Sequence, residues 1–94
     1  MLFANRIRKL RESEQMLQRN IAAALDMDNA MYCKIERGNR RAKREHIPII
    51  AEILQAEPEK LLTLWFADQV TEIAGKDKGI LDKVLETAKQ SLNE

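Results

Sequence analysis

Apolar residues recur along this chain at helical rather than alternating spacing. Phe3, Ile7 and Leu10 share one face, with Arg6, Arg8, Lys9, Arg11 and Glu12 elsewhere around the turn, which predicts a helix over residues 3–14. A second, short run begins near Gln18 and includes Ile21, Ala22 and Leu25. Its consecutive alanines favour helix and let a neighbour approach closely. The run stops at Asp26-Met27-Asp28, where Asp28 is placed to accept hydrogen bonds from the free amides opening the next helix. That third helix is predicted over residues 29–37, with Tyr32 and Ile35 inward and Gly38 ending it in a left-handed conformation. A fourth begins near Arg44 or Glu45 and carries Ile47, Ile50, Ala51, Ile53 and Leu54 towards the core. Pro48 falls in its first turn, close to where a missing amide proton does least damage. Pro58 marks the first position of a fifth helix, which carries Leu61, Leu62, Leu64, Trp65, Phe66 and Val70 and runs to Ala74, with Gly75 ending it. A last helix starts after Asp77. Ile80, Leu81, Val84, Leu85, Ala88 and Leu92 form its apolar stripe, and Asp82, Lys83, Glu86, Lys89 and Gln90 its wet side.

The pattern is all-α, and 94 residues suffice for one small core but not for two independent domains of ordinary size. We expect a domain over residues 1–74 and a terminal helix over 75–94 that is free to serve dimerisation. The longest apolar run, Ile21 to Leu25, falls far short of the ~18 residues a membrane span needs. Met1-Leu2-Phe3-Ala4 passes into Asn5-Arg6 without a signal-peptide core, so the expected location is cytoplasmic. A single cysteine, Cys33, excludes an internal disulfide, and with a single histidine, His46, thirteen positions away, no metal cage is signalled. Gly-rich phosphate loops and nucleophile or zinc-protease motifs are missing from the sequence. The chain therefore reads as a binding protein, not an enzyme, with no cofactor and no metal.

Charge sharpens that reading. The net charge of +1 conceals 11 Lys and Arg against 6 Asp and Glu in residues 1–49, and 5 against 9 in residues 50–94. Between residues 34 and 44, Lys34, Arg37, Arg40, Arg41, Lys43 and Arg44 are opposed only by Glu36. Such a cluster attracts a polyanion, or it is simply a solvated loop. Its setting is two short helices joined by a three-residue turn, followed by the basic loop and an apolar bundle, which suits a helix-turn-helix DNA-binding domain.

Residues 5–64 resemble the lambda-repressor-like (Cro/cI, Xre) helix-turn-helix family. The resemblance is carried by Ile7-Arg8-Lys9-Leu10-Arg11, Gln18, Ile21-Ala22, Leu25-Asp26-Met27-Asp28, Lys34-Ile35-Glu36-Arg37-Gly38 and Ala51-Glu52-Ile53-Leu54. It implies a five-helix bundle that binds double-stranded DNA, here with an extended fifth helix and an additional C-terminal one. Gln18 then opens the helix that meets the duplex backbone, a positioning contact. The third helix becomes the recognition helix, so Asn29, Ala30, Met31 and Lys34 are its base-contacting candidates. Asn29 suits adenine, Lys34 suits guanine, and Ala30 or Met31 suits a thymine methyl group. Arg37, Arg40, Arg41, Lys43 and Arg44 fall where relatives grip phosphates. Arg11 and Glu36 match a family ion pair that ties the first helix to the end of the third.

The chain departs from the family pattern at several positions. Asp26 stands where the turn often has Gly, and Ala42 where many relatives have Pro, which implies a looser basic loop. Tyr32 replaces an aliphatic residue and is expected in the core, and Met31 replaces Ser or Thr, leaving few hydrogen-bonding readers. Cys33 reads either as a redox-sensitive position beside the duplex or as an ordinary helix-surface residue. His46 reads as an exposed helix-start residue. Trp65 and Phe66 are adjacent and cannot both face one small core, so at least one is a subunit-contact candidate. The stripe of Ile80, Leu81, Val84 and Leu85 packs either on the chain's own core or on a second copy. The expected function is a sequence-specific transcriptional regulator, a homodimer on an approximately palindromic operator. The alternative is an antitoxin-like or adaptor module whose partner is a protein such as a toxin or polymerase.

Overall fold

Apolar faces of five helices converge on one cluster in the computed structural model, which describes residues 1–93. The five are α1 (Leu2–Ser13), α2 (Gln18–Ala24), α3 (Asn29–Glu36), α4 (His46–Leu54) and α5 (Pro58–Ala74); a sixth helix, α6 (Leu81–Leu92), follows a 3₁₀ turn at Lys78–Ile80. The fold is all-helical, with no strand among the described residues. Phe3 and Ile7 of α1, Ile21 and Ala22 of α2, Tyr32 and Ile35 of α3, Ile47, Ile50, Ala51 and Leu54 of α4 and Leu61 of α5 form the core. Each large side chain here contributes roughly 1.5–3 kcal/mol by leaving water, which offsets the conformational entropy lost in ordering short helices.

The helix ends show how the chain turns so tightly with so few glycines. α1 to α4 all end in the same way: the amide of a positive-φ residue bonds back to a carbonyl three residues earlier, and the next amide to one five residues earlier. The pairs are Gln15 to Glu12 and Met16 to Arg11 after α1, and Asp26 to Ala23 and Met27 to Ala22 after α2. After α3 they are Gly38 to Ile35 and Asn39 to Lys34, and after α4 Gln55 to Glu52 and Ala56 to Ala51. The four left-handed residues are Gln15, Asp26, Gly38 and Gln55, with φ of 56°, 54°, 79° and 54°. Only one of them is glycine. At Gly38 a side chain would meet a second obstacle, because a Cβ there would stand 2.8 Å from Met1 Cγ.

Helix starts follow local and distant rules in turn. Asp28 caps α3 by accepting from the Met31 amide at 2.7 Å, and Pro58 opens α5 at a position that needs no amide proton. α4 begins at His46, one to two residues later than its apolar pattern predicts, and His46 Nδ1 accepts from the Lys43 amide at 3.3 Å. α1 begins one residue earlier than predicted, and its cap comes from 65 and 66 positions away. The Asp68 carboxylate on α5 accepts from the amides of Leu2 at 2.8 Å and Phe3 at 3.0 Å. Being buried, this carboxylate fixes the start of α1 against the middle of α5.

Past Trp65 the character of the chain changes. α5 ends at Ala74, and Gly75 has an ordinary right-handed conformation (φ −55°) rather than a reversing one. α6 buries no residue, and it touches mainly the 3₁₀ turn that precedes it. The radius of gyration is 15.1 Å, against about 12 Å for a compact chain of this length. The C-terminal segment is thus an arm projecting from the five-helix bundle, and the option that its stripe packs on the chain's own core is not realised.

Candidate nucleic-acid interface

The outer face of α3 is the centre of the site. Eight residues make two turns, so Asn29, Ala30, Cys33, Lys34 and the following Arg37 line one side while Tyr32, Ile35 and Glu36 line the other. Asn29, Ala30, Lys34 and Arg37 are exposed and Cys33 is half-buried. Met31 is half-buried too and sits at the flank, lining a groove with Leu25, Met27, Ile35, Arg40 and His46.

The buried side of α3 is held by a bidentate ion pair. Arg11 of α1 donates through Nε to Glu36 Oε2 at 2.7 Å and through Nη2 to Oε1 at 3.1 Å, a bidentate pair, and through Nη1 to the Met16 carbonyl at 2.9 Å. Gln18 Nε2 donates to Glu36 Oε1 at 3.2 Å. Glu36 is only 2% exposed. Burial alone would raise its pKa, but the bonds from Arg11, then the neighbouring Tyr32 hydroxyl and the bond from Gln18, outweigh that penalty and hold the carboxyl below its ordinary range. The Arg11 guanidinium is correspondingly pushed up by its bond to Glu36. Tyr32 is fully buried beside this pair, and burial, reinforced by the Glu36 carboxylate, drives its phenol far above its usual value. Among the described residues its hydroxyl meets no partner in good hydrogen-bonding geometry. The result is a helix clamped from behind, which sets the register of the exposed face.

The Gln18 side chain therefore reaches Glu36. At the opening of α2, Asn20 Oδ1 accepts from the Leu17 amide at 2.9 Å. Asn29, Arg19, Gln18 and Leu17 line one open groove, which adds Arg19 as a cation beside the start of α3. Arg19 is not among the residues expected from the sequence, because no periodic signal separates an exposed arginine that faces this groove from one that faces bulk water.

The basic loop lies on the other flank. Arg37, Arg40, Arg41, Lys43 and Arg44 are exposed. Ala42 between them is buried, and its carbonyl accepts from Trp65 Nε1 at 2.8 Å. One bond from α5 thus reaches the loop at Ala42, where the resemblance leads one to look for proline. Trp65 packs on the core with its ring edge-to-face on Phe66, centroids 5.0 Å apart, and Phe66 is left exposed. Arg41 is paired with Glu72 of α5, so one cation of the loop is already partly neutralised. Lys34, Arg37, Arg40, Lys43 and Arg44 form no ion pair among the described residues.

No group of His, Cys, Asp and Glu able to hold a metal occurs among the described residues, and no helix there is long and apolar enough to cross a membrane. No protein-family model, curated protein or solved structure matches this chain.

Proposed function

We propose that this chain is a sequence-specific regulator of transcription that binds double-stranded DNA through a lambda-repressor-like helix-turn-helix. In this reading α3 is the recognition helix, α2 crosses the backbone, and two copies bind an approximately palindromic operator. The observation that carries the reading is the two-sidedness of α3. Its back is clamped by Arg11 and Glu36, while Asn29, Ala30, Lys34 and Arg37 face outwards, exposed among the described residues. Asn29 and Lys34 supply the hydrogen-bonding groups for base edges, with Ala30 and Met31 as apolar contacts for thymine methyl groups. Arg37, Arg40, Lys43 and Arg44 grip phosphates, Arg41 joins them to the extent that Glu72 releases it, and Gln18 and Arg19 border the backbone at the start of α2. Such chemistry is binding alone and calls for no cofactor.

Selection of bound sites from a random duplex pool, followed by mobility-shift titration across salt, tests the proposal. About four to five phosphates gripped per copy predict that log affinity falls with log salt with a slope of about −4 per copy. Replacing Asn29 and Lys34 together by alanine removes preference among duplexes, by roughly 1–3 kcal/mol for each base no longer read, and leaves non-specific binding largely intact. An affinity for duplex that does not respond to salt refutes the reading.

The exposed Phe66 and Ile73, 51% and 83% accessible, favour a second reading, an antitoxin-like or adaptor module that docks on a protein such as a toxin or polymerase. On that reading the Asn29 and Lys34 double variant keeps full activity, and substitutions at Phe66 abolish it.

A further inference from the structure

α6 presents an apolar stripe with charges confined to one of its two flanks. Its apolar stripe is uncovered: Ile80, Val84 and Leu85 are 53%, 47% and 39% exposed, and no residue of the helix is buried. Beside the stripe, Asp82 and Lys89 stand seven residues apart, two turns, and so occupy the same flank. That separation is too long for them to reach each other within one helix, and neither forms an ion pair among the described residues. The opposite flank holds the neutral Thr87 and Ser91.

We infer that α6 is covered by α6 of a second copy, in antiparallel orientation about a two-fold axis passing beside Leu85 and Glu86. Antiparallel helices bring like flanks together, so Asp82 of each copy meets Lys89 of the other, twice, with Leu85 of both copies near the axis on the apolar face. A parallel pairing would set the charged flank against Thr87 and Ser91 and leave both charges uncompensated. An anionic lipid surface is disfavoured because the polar face of α6 carries Asp82 and Glu86 as well as Lys83 and Lys89, whereas surface-seeking helices are rich in cations alone. One amphipathic helix offers less than the ~800 Å² per partner of a standard interface, so the pairing is reversible and depends on concentration. This inference takes from the proposed function only its two-fold symmetry, and its test contains no DNA.

The test is sedimentation equilibrium of the full chain, with circular dichroism to confirm helix content. The wild type associates to a dimer. Asp82→Lys and Lys89→Asp each replace two attractions by two repulsions and weaken the dimer roughly tenfold or more, and the double exchange restores it to within about threefold of the wild type. Leu85→Asp leaves a folded monomer. A wild type that stays monomeric up to about 1 mM overturns the inference, since its dissociation constant would then lie beyond that range. Single charge variants that dimerise unchanged, or a double exchange weaker than both, likewise overturn the antiparallel register. Co-sedimentation with phosphatidylserine vesicles in place of self-association would assign the stripe to lipid and overturn it too. Failure on any of these counts leaves the salt dependence of duplex binding to be judged separately.

Discussion

The bundle and the arm are written in the same helical periodicity and end in opposite states. In α4, Ile47, Ile50, Ala51 and Leu54 are all but inaccessible, each met by residues from other helices. In α6, a stripe of comparable clarity meets almost nothing but its own preceding turn. An amphipathic pattern thus specifies that a face is to be covered without specifying by what. The difference lies in the tethers. The bundle is laced by bonds between residues distant in sequence, from Asp68 to the start of α1, Arg11 to Glu36 and Trp65 to Ala42, and none of these tethers reaches α6.

The sharpest way to break this comparison is to cut the same side chain in both regions. Leu54→Ala should lower unfolding free energy by about 3 kcal/mol, since it opens a cavity in packed surroundings. Leu85→Ala should change it by less than about 0.5 kcal/mol in dilute solution. Urea denaturation measures both, and similar losses would show that the arm is part of the bundle. Next in size, Glu36→Gln strands the Arg11 guanidinium and should cost about 3 kcal/mol at neutral pH if the pair acts as a buried one. Because the Glu36 carboxyl titrates lower folded than unfolded, its contribution is present above the ordinary carboxylate range and disappears as pH falls through it. The gap between wild type and Glu36→Gln should therefore narrow on acidification, and a gap that is constant with pH would assign the loss to packing. Asp68→Asn weakens the cap on α1 and should cost about 1 kcal/mol, with faster amide exchange at Leu2 and Phe3. Smallest is Gln55→Gly, a gain of about 0.5 kcal/mol in thermal melts, the relief of a left-handed side-chain conformation set against a more flexible unfolded chain.

Local signals carry most of the helical plan. Asp28 and Pro58 announce helix starts, Gly38 a helix end, and apolar spacing the inward faces of α1 to α4, whereas on α5 the apolar Phe66 and Val70 are exposed. What stays hidden is non-local or chemically disguised. Gln15 and Gln55 reverse the chain as glycine would, but nothing in a glutamine says so. Asp68 lies seven residues after Leu61, on α5's inward face, and a lone carboxylate on an apolar stripe is the available hint that it serves another helix. In the candidate site, the exposed face of α3 is legible from the inward positions of Tyr32 and Ile35. The pairing of Arg41 with Glu72 is not, because it depends on how α5 lies beside the loop. Nor is the tie from Trp65 to Ala42, a single indole bond between distant residues.

That indole gives the molecule its own optical reporter. Trp65 is the only tryptophan in the chain, and its N–H is bonded to the backbone of the cationic loop. Any event that lifts the loop exchanges that carbonyl for water and shifts the fluorescence to longer wavelength. Movement of the loop can then be followed in the unlabelled protein, while the exposed arm, which contains no other indole, stays dark.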